Sequence, residues 1–249
     1  MSKEISTTNN QNFEVLDPST EMGQALAMKG QLSLDSMVKV SCPSGGGTAF
    51  SWDDFDGPAN ATSIEGLLVG FQKSWTLWPT LESGSEAPVL VSYDGVKGYM
   101  TGTGFFGDLD IEVFMEHQND DGSINMLTLP YAQRGSRGER GTRISRGAVL
   151  YILPEGRILP LQVKIPGMSL RNVQKTWDNL QCVPWKAIVS LTLTKEKNAA
   201  GTAYSQIHMS QVGTYQGEGA EVAKSIYWDS IKSANEQLEQ TAANFATPL

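Results

Sequence analysis

The stretch Ser63–Trp78, SIEGLLVGFQKSWTLW, constrains the fold more than any other. Read with a period of two, Leu67, Val69, Phe71, Trp75 and Leu77 share one face, while Leu68, Gly70, Gln72, Ser74 and Thr76 share the other. One face is clearly apolar, which marks a strand lying on a core. Gly66 and Gly70 would permit strong curvature or a bulge. A long strand that bends is what a small barrel needs in order to close.

Other segments add strands around it. Gln31–Ser41 alternates through Leu32, Leu34, Met37, Val38 and Val40 and supplies a first strand. Gly45, Gly46 and Gly47 then make a tight turn or bulge; with no Gly-Lys-Ser/Thr after them they are not a phosphate-binding P-loop. Ala87–Met100 reads as strand, Asp94-Gly95 turn, strand. Thr101–Asn125 is rich in Gly, Asp and Asn and reads as an extended excursion, with a short strand at Met126–Leu129. Ala148–Leu153 and Ile158–Val163 form a hairpin across Pro154, Glu155 and Gly156. Trp185–Lys195 and Thr202–Val212 form a longer one across EKNAAG. There Ala187, Val189, Leu191, Leu193, Ile207 and Met209 face inward, and Tyr204, Gln206 and His208 face outward.

Two helices are expected. Ser169 is a good N-cap for Ser169–Leu180, where Leu170, Val173, Trp177 and Leu180 fall at helical spacing; Trp177 is then core, and Arg171 and Lys175 point outward. From Glu218 to Phe245 a stripe of Ala223, Tyr227, Ile231, Ala234, Leu238, Ala242 and Phe245 marks a second helix. It packs on the barrel or on a neighbouring subunit. The expected organisation is a loosely attached polar arm at 1–30, a mainly β (α+β) domain at 31–213 and a C-terminal helix and tail at 214–249.

Charge points to a ligand class. The net charge is −8, but between Tyr131 and Lys175 nine bases face two acids, a local +7 against −15 elsewhere. Arg134, Arg137, Arg140, Arg143 and Arg146 stand in a glycine-rich loop, 131–147. Guanidinium groups pair bidentately with phosphate oxygens, and glycines leave the backbone pliable. A basic stripe on an acidic body suits a polyanion while limiting indiscriminate sticking; an ordinary solvated loop is the plain alternative.

Enzymatic signatures are weak. Asp108, Asp110 and Glu112 in GDLDIEV would share one strand face and could hold Mg²⁺ as in a nuclease, although a solvated face is the preferred reading. Asp53, Asp54 and Asp56 lack calcium-loop spacing. Two Cys and two His make a four-ligand zinc site improbable, and Cys42 and Cys182 are expected to be reduced thiols. No cofactor, metal or catalytic residue is therefore assigned. No apolar run approaches the ~20 residues of a bilayer span, and the N-terminus has no signal-peptide core. A cytoplasmic protein without membrane contact is expected.

Four stretches together resemble a family of phage and mobile-element proteins that often sit near replication genes. They are VKVSCPSGGGTAF with SIEGLLVGF and Trp78; VSYDGVKG; the Arg/Gly loop leading into AVLYIL and LPLQVKIPGMSLRNVQKTWDNL; and WKAIVSLTLTKEKNAAGTAYSQIHM. They span about Val38 to Met209. The resemblance implies an OB-like β-barrel and a role as a single-stranded DNA-binding protein in replication or recombination. Many relatives carry a cysteine cluster between the SYDG-like turn and the Arg/Gly loop; Thr101–Pro130 has no cysteine here.

The expected binding set is the five loop arginines along the phosphate backbone, with Lys164, Arg171 and Lys175 extending the groove. Tyr204 stacks a base, and Lys195 and Lys197 hold the strand at the hairpin tip. The expected partners are single-stranded DNA, with RNA as its alternative, replication proteins, and a second copy of the chain. The competing reading is an interaction or assembly factor docking through its C-terminal helix.

Overall fold

The computed structural model describes residues 37–233 and 236, apart from 44, 55, 82–86, 103, 139–140, 200 and 218. The expected arm at 1–30, Arg140, and the predicted helix beyond 233 lie outside the described residues. The chain is mainly β, with a mixed sheet and short helices. It forms two compact units, one of residues 37–71 and 148–233, the other of residues 72–147.

The first unit is a sheet with a helix along its last strand. Its strands are β1 (Val38–Val40), the N-terminal half of β4 (Ser63–Leu77), β8 (Ile144–Leu153, from Ala148 on), β9 (Leu161–Pro166), β10 (Ala187–Lys197) and β11 (Ala203–Thr214). They pair in the order β1-β9-β8-β4-β10-β11, with β1 parallel to β9 and β10 antiparallel to both β4 and β11. A separate hairpin, β2 (Phe50–Asp54) with β3 (Gly57–Ala61), buries Phe50 in the same core. That hairpin carries the Asp53–Asp56 cluster and went unread in the sequence, where Pro58 counts against a strand; Pro58 sits in a two-stranded ribbon, where an edge position tolerates it.

Both faces of this sheet are covered. Ile64, Leu68, Leu150, Ile152, Val163, Val189, Leu191 and Ile207 fill one side. Leu67, Val69, Tyr151, Leu153 and Ile188 meet Ala223, Tyr227 and Ile231 on the other. The expectation of one apolar face for β4 therefore fails at its centre: Gly66 to Gly70 are all buried, because the C-terminal helix covers Leu67 and Val69 while Leu68 enters the core of Leu150, Ile152 and Val189 on the other side. Nor do the glycines serve only curvature. A Cβ at Gly66 would lie 2.4 Å from the Leu153 carbonyl oxygen, and one at Gly70 2.8 Å from the Tyr151 ring. Both positions are small because β8 passes close by.

Among the described residues the ladder stops at β11, so strand pairing does not close into a barrel. A helix lies along that edge instead.

The second unit is a meander around its own core. The end of β4 pairs with β5 (Leu90–Ser92), β5 with β6 (Lys97–Met100), and β6 with β7 (Ile124–Asn125). The Asp94-Gly95 turn forms as expected: Asp94 Oδ1 accepts from the Val96 and Lys97 amides at 2.7 and 2.9 Å, and Gly95 takes φ +76°. Leu77, Leu90, Leu109, Phe114, Ile124, Leu129 and Ile144 are buried together. The expected strand at Met126–Leu129 is a turn; the strand lies just before it, at Ile124–Asn125.

Among the described residues no helix is long and apolar enough to cross a membrane.

Candidate nucleic-acid interface

Over its described residues the arginine loop folds as a turn rather than a pliable strap. Ser136 organises it: its hydroxyl donates to the Tyr131 and Gln133 carbonyls at 2.9 and 2.8 Å and accepts from the Arg143 amide at 2.9 Å. Gly135 and Arg137 donate their amides to the Gly141 carbonyl, and Gly135 and Gly138 adopt φ +96° and +70°. Backbone order of this kind fixes where each side chain leaves the loop.

The loop arginines divide by role. Arg143 is a strut: its guanidinium donates to both carboxylate oxygens of Asp108 at 2.8 Å and to the Trp78 carbonyl at 3.4 Å. Its side chain is 8% exposed, that of Asp108 51%. The hydrogen bond from Arg143 holds the Asp108 carboxyl below its ordinary pKa. Arg143 therefore leaves the expected binding set. Arg134, Arg137 and Arg146 are exposed and form no ion pair among the described residues. Nothing local in the sequence sets Arg143 apart, because its partner lies 35 residues away.

The carboxylate row Asp108, Asp110, Glu112 dissolves on inspection. GDLDIEV is not a strand but a loop entering the helix α1 (Ile111–Glu116). Asp110 caps it, accepting from the Glu112 amide at 3.0 Å, and Phe114 anchors it in the core. With Asp108 on Arg143 and Asp110 on the backbone, the shared face that a metal pair needs is gone. Among the described residues no three His, Cys, Asp or Glu side chains gather to hold a metal ion.

The remaining candidates belong to the first unit and centre on the helix α2 (Gly167–Trp177). It starts directly after Pro166, two residues earlier than expected, so Ser169 is not its cap. Ser169 is buried and accepts the Ile207 amide at 2.9 Å. Thr176 donates to the Met209 carbonyl at 2.5 Å, and Gln206 donates to the Met168 carbonyl at 3.1 Å. The Ser169 and Thr176 contacts satisfy one amide and one carbonyl of β11 that a bare edge would leave open. Val173 is buried against the sheet, and Arg171 and Lys175 stand exposed, as the spacing predicts.

Between α2 and β11 runs an open groove of about 520 Å³, lined in part by Met209. Asn172, Lys175, Thr176 and Asn179 form the helix side, and His208, Ser210 and Gln211 the strand side. His208 is held at both ring nitrogens, by Thr194 Oγ1 at 2.9 Å and Asn172 Nδ2 at 3.5 Å. Gln211 is tied to the Gln181 amide and to Thr214.

Register separates the expected hairpin-tip set. Tyr204 pairs with Glu196, whereas Lys195 pairs with Ser205 and Lys197 with Ala203. Since side chains alternate, Tyr204 shares its face with Glu196, Gln206 and His208, and Lys195 and Lys197 point to the opposite one. Lys195 leans over Gly46, where an added Cβ would lie 2.9 Å from its Cγ. The expected Tyr204–Lys195–Lys197 group is therefore not a single patch. Lys164 is exposed on β9, on the side of the strand away from Leu161, Val163 and Ile165.

Trp177 behaves as the core residue it was read to be. It stacks on Phe71 at 4.5 Å and on Trp228 at 5.9 Å, with Trp185 edge-on to Trp228. Trp228 closes a π-helical turn, Lys224–Trp228, that continues the helix α3 (Ala220–Ala223). Over its described length this C-terminal helix is packed at home, with the Tyr227 hydroxyl donating to the Ile158 carbonyl at 2.7 Å. The stripe offered for partner docking is occupied at Ala223, Tyr227 and Ile231.

Compared with known proteins, the chain matches no family model, no curated protein and no solved structure.

Proposed function

We propose that the chain is a sequence-tolerant single-stranded DNA-binding protein acting in phage or plasmid replication or recombination, without enzymatic activity of its own. The observation that carries this reading is the contrast within one ordered loop. Arg143 is consumed by Asp108, while Arg134 and Arg137 extend from the same turn, and Arg146 from the start of β8, with no carboxylate partner among the described residues. Exposed guanidiniums on a fixed backbone, in a chain of net charge −8, are what selective polyanion binding calls for. The OB-like barrel belongs to the same proposal. It is supported by the β1-β9-β8-β4-β10-β11 order and by the helix that flanks its last strand.

A filter-binding series with oligo-dT over a range of salt tests the reading. Affinity should fall with a log–log slope of about −0.7 per neutralised phosphate. Competition by duplex DNA and by RNA at two salt concentrations ranks the ligands, and salt-indifferent binding or none removes the proposal.

A further inference from the structure

We propose that the groove between α2 and β11 is a nucleotide subsite, taking one phosphodiester-linked nucleotide of a single DNA strand. This rests on the single-strand reading above and adds a place where the strand is held by more than charge.

The lining is the first argument. It offers side-chain amides from Asn172 and Asn179, hydroxyls from Thr176 and Ser210, the His208 ring and the Lys175 ammonium. It contains no carboxylate. The nearest acid on the helix, Asp178, is turned to Gln174, accepting from its Nε2 at 2.6 Å. Glu196, on the same face as His208, has its carboxylate on the Thr194 hydroxyl at 3.3 Å, so the lining itself carries a cation and no anion, which favours a phosphate over an amine. Lys175 lies one helical turn after the exposed Arg171, so two cations stand on one face of α2.

Size and order are the second argument. About 520 Å³ falls within the ~300–1,000 Å³ of small-ligand sites and leaves room for a sugar and a base. The walls are fixed before any ligand arrives. Thr176 is bonded to the Met209 carbonyl, His208 is held on two sides, and Asn179 Nδ2 donates to the Lys175 carbonyl at 2.6 Å. Pre-set walls lower the ordering cost of binding.

The chemistry also fits indifference to sequence. An amide presents both a donor and an acceptor, so each base edge finds a complement. Tyr204 lies on the same face of β11, four residues along from His208, and carries a neighbouring base.

The test is photocrosslinking of the full chain to iodouracil-substituted oligo-dT, with peptide mapping, alongside affinity measured by filter binding. The expected result is crosslinks within 168–179 or 203–211. Their yield should drop at least about fivefold in Asn172→Ala and in Lys175→Gln, with unchanged thermal melts. Suppose instead that the oligonucleotide binds in a salt-dependent way, but crosslinks fall only within 131–147 and neither variant alters affinity. The subsite is then wrong while the single-strand reading stands. If no oligonucleotide binds at low salt, both fall together.

Discussion

The arginine loop and the α2–β11 groove handle cationic side chains in opposite ways. In the loop, glycine turns and one serine hydroxyl set the backbone, and an arginine that looks identical to its neighbours is spent on holding Asp108. At the groove, regular elements set the backbone, and Lys175 stays exposed beside neutral polar groups, with Arg171 exposed one turn earlier on α2. Counting charges along a sequence treats all of these residues alike. What separates them is whether the fold brings a carboxylate within hydrogen-bond reach, and only the tertiary structure decides that.

The sharpest way to break the comparison is to remove the three exposed loop arginines. Arg134→Ala, Arg137→Ala and Arg146→Ala combined should lower affinity for oligo-dT by about 100-fold or more and reduce the salt slope by about 2, leaving the melt unchanged. A variant that binds as before would move the whole interface elsewhere.

Ser169→Ala probes the other region through its support. It leaves the buried Ile207 amide without an acceptor, at a cost of about 1–3 kcal/mol in denaturant unfolding. Ser169→Thr, which keeps the hydroxyl, tests whether the oxygen or the space matters.

Asp108→Asn should destabilise by about 1 kcal/mol, since half of the carboxylate already faces water, and should leave oligonucleotide affinity within about twofold. Loss of affinity beyond that would mean that Arg143 positions the loop for its ligand.

The smallest effect is in acid. The Asp108 carboxyl is depressed in the folded chain, so its stabilising contribution is present above the ordinary carboxylate value of about 3.9 and is lost as pH falls through the lower folded value. A urea midpoint that drops below about pH 4 in the wild type, with a flatter profile in Asp108→Asn, is the expected outcome.

Much of the architecture was legible. β4, the β5–β6 turn and the β10–β11 hairpin announce themselves through alternation and Asp-Gly chemistry, and Val173 and Trp177 announce α2 by spacing. The misreadings share a cause: local pattern competing with a distant contact. Asp108, Asp110 and Glu112 alternate as a strand would, but Asp110 caps a helix whose Phe114 the core claims. Ser169 has the composition of a cap, yet an amide 38 residues away takes its hydroxyl. For the site, exposure of Arg171 and Lys175 could be read from helical spacing. The sorting of Arg143 from Arg134, Arg137 and Arg146 could not, nor could the groove, which exists only where α2 meets β11.

The seating of α2 on the last strand also limits how anything can approach this unit. The Ile207 amide and the Met209 carbonyl are already engaged by Ser169 and Thr176, so α2 stands where a peptide would have to join by strand addition. A visitor to this flank meets side chains and not main chain, and it must be recognised by hydroxyls, amides and cations whose identity mutation can alter one at a time.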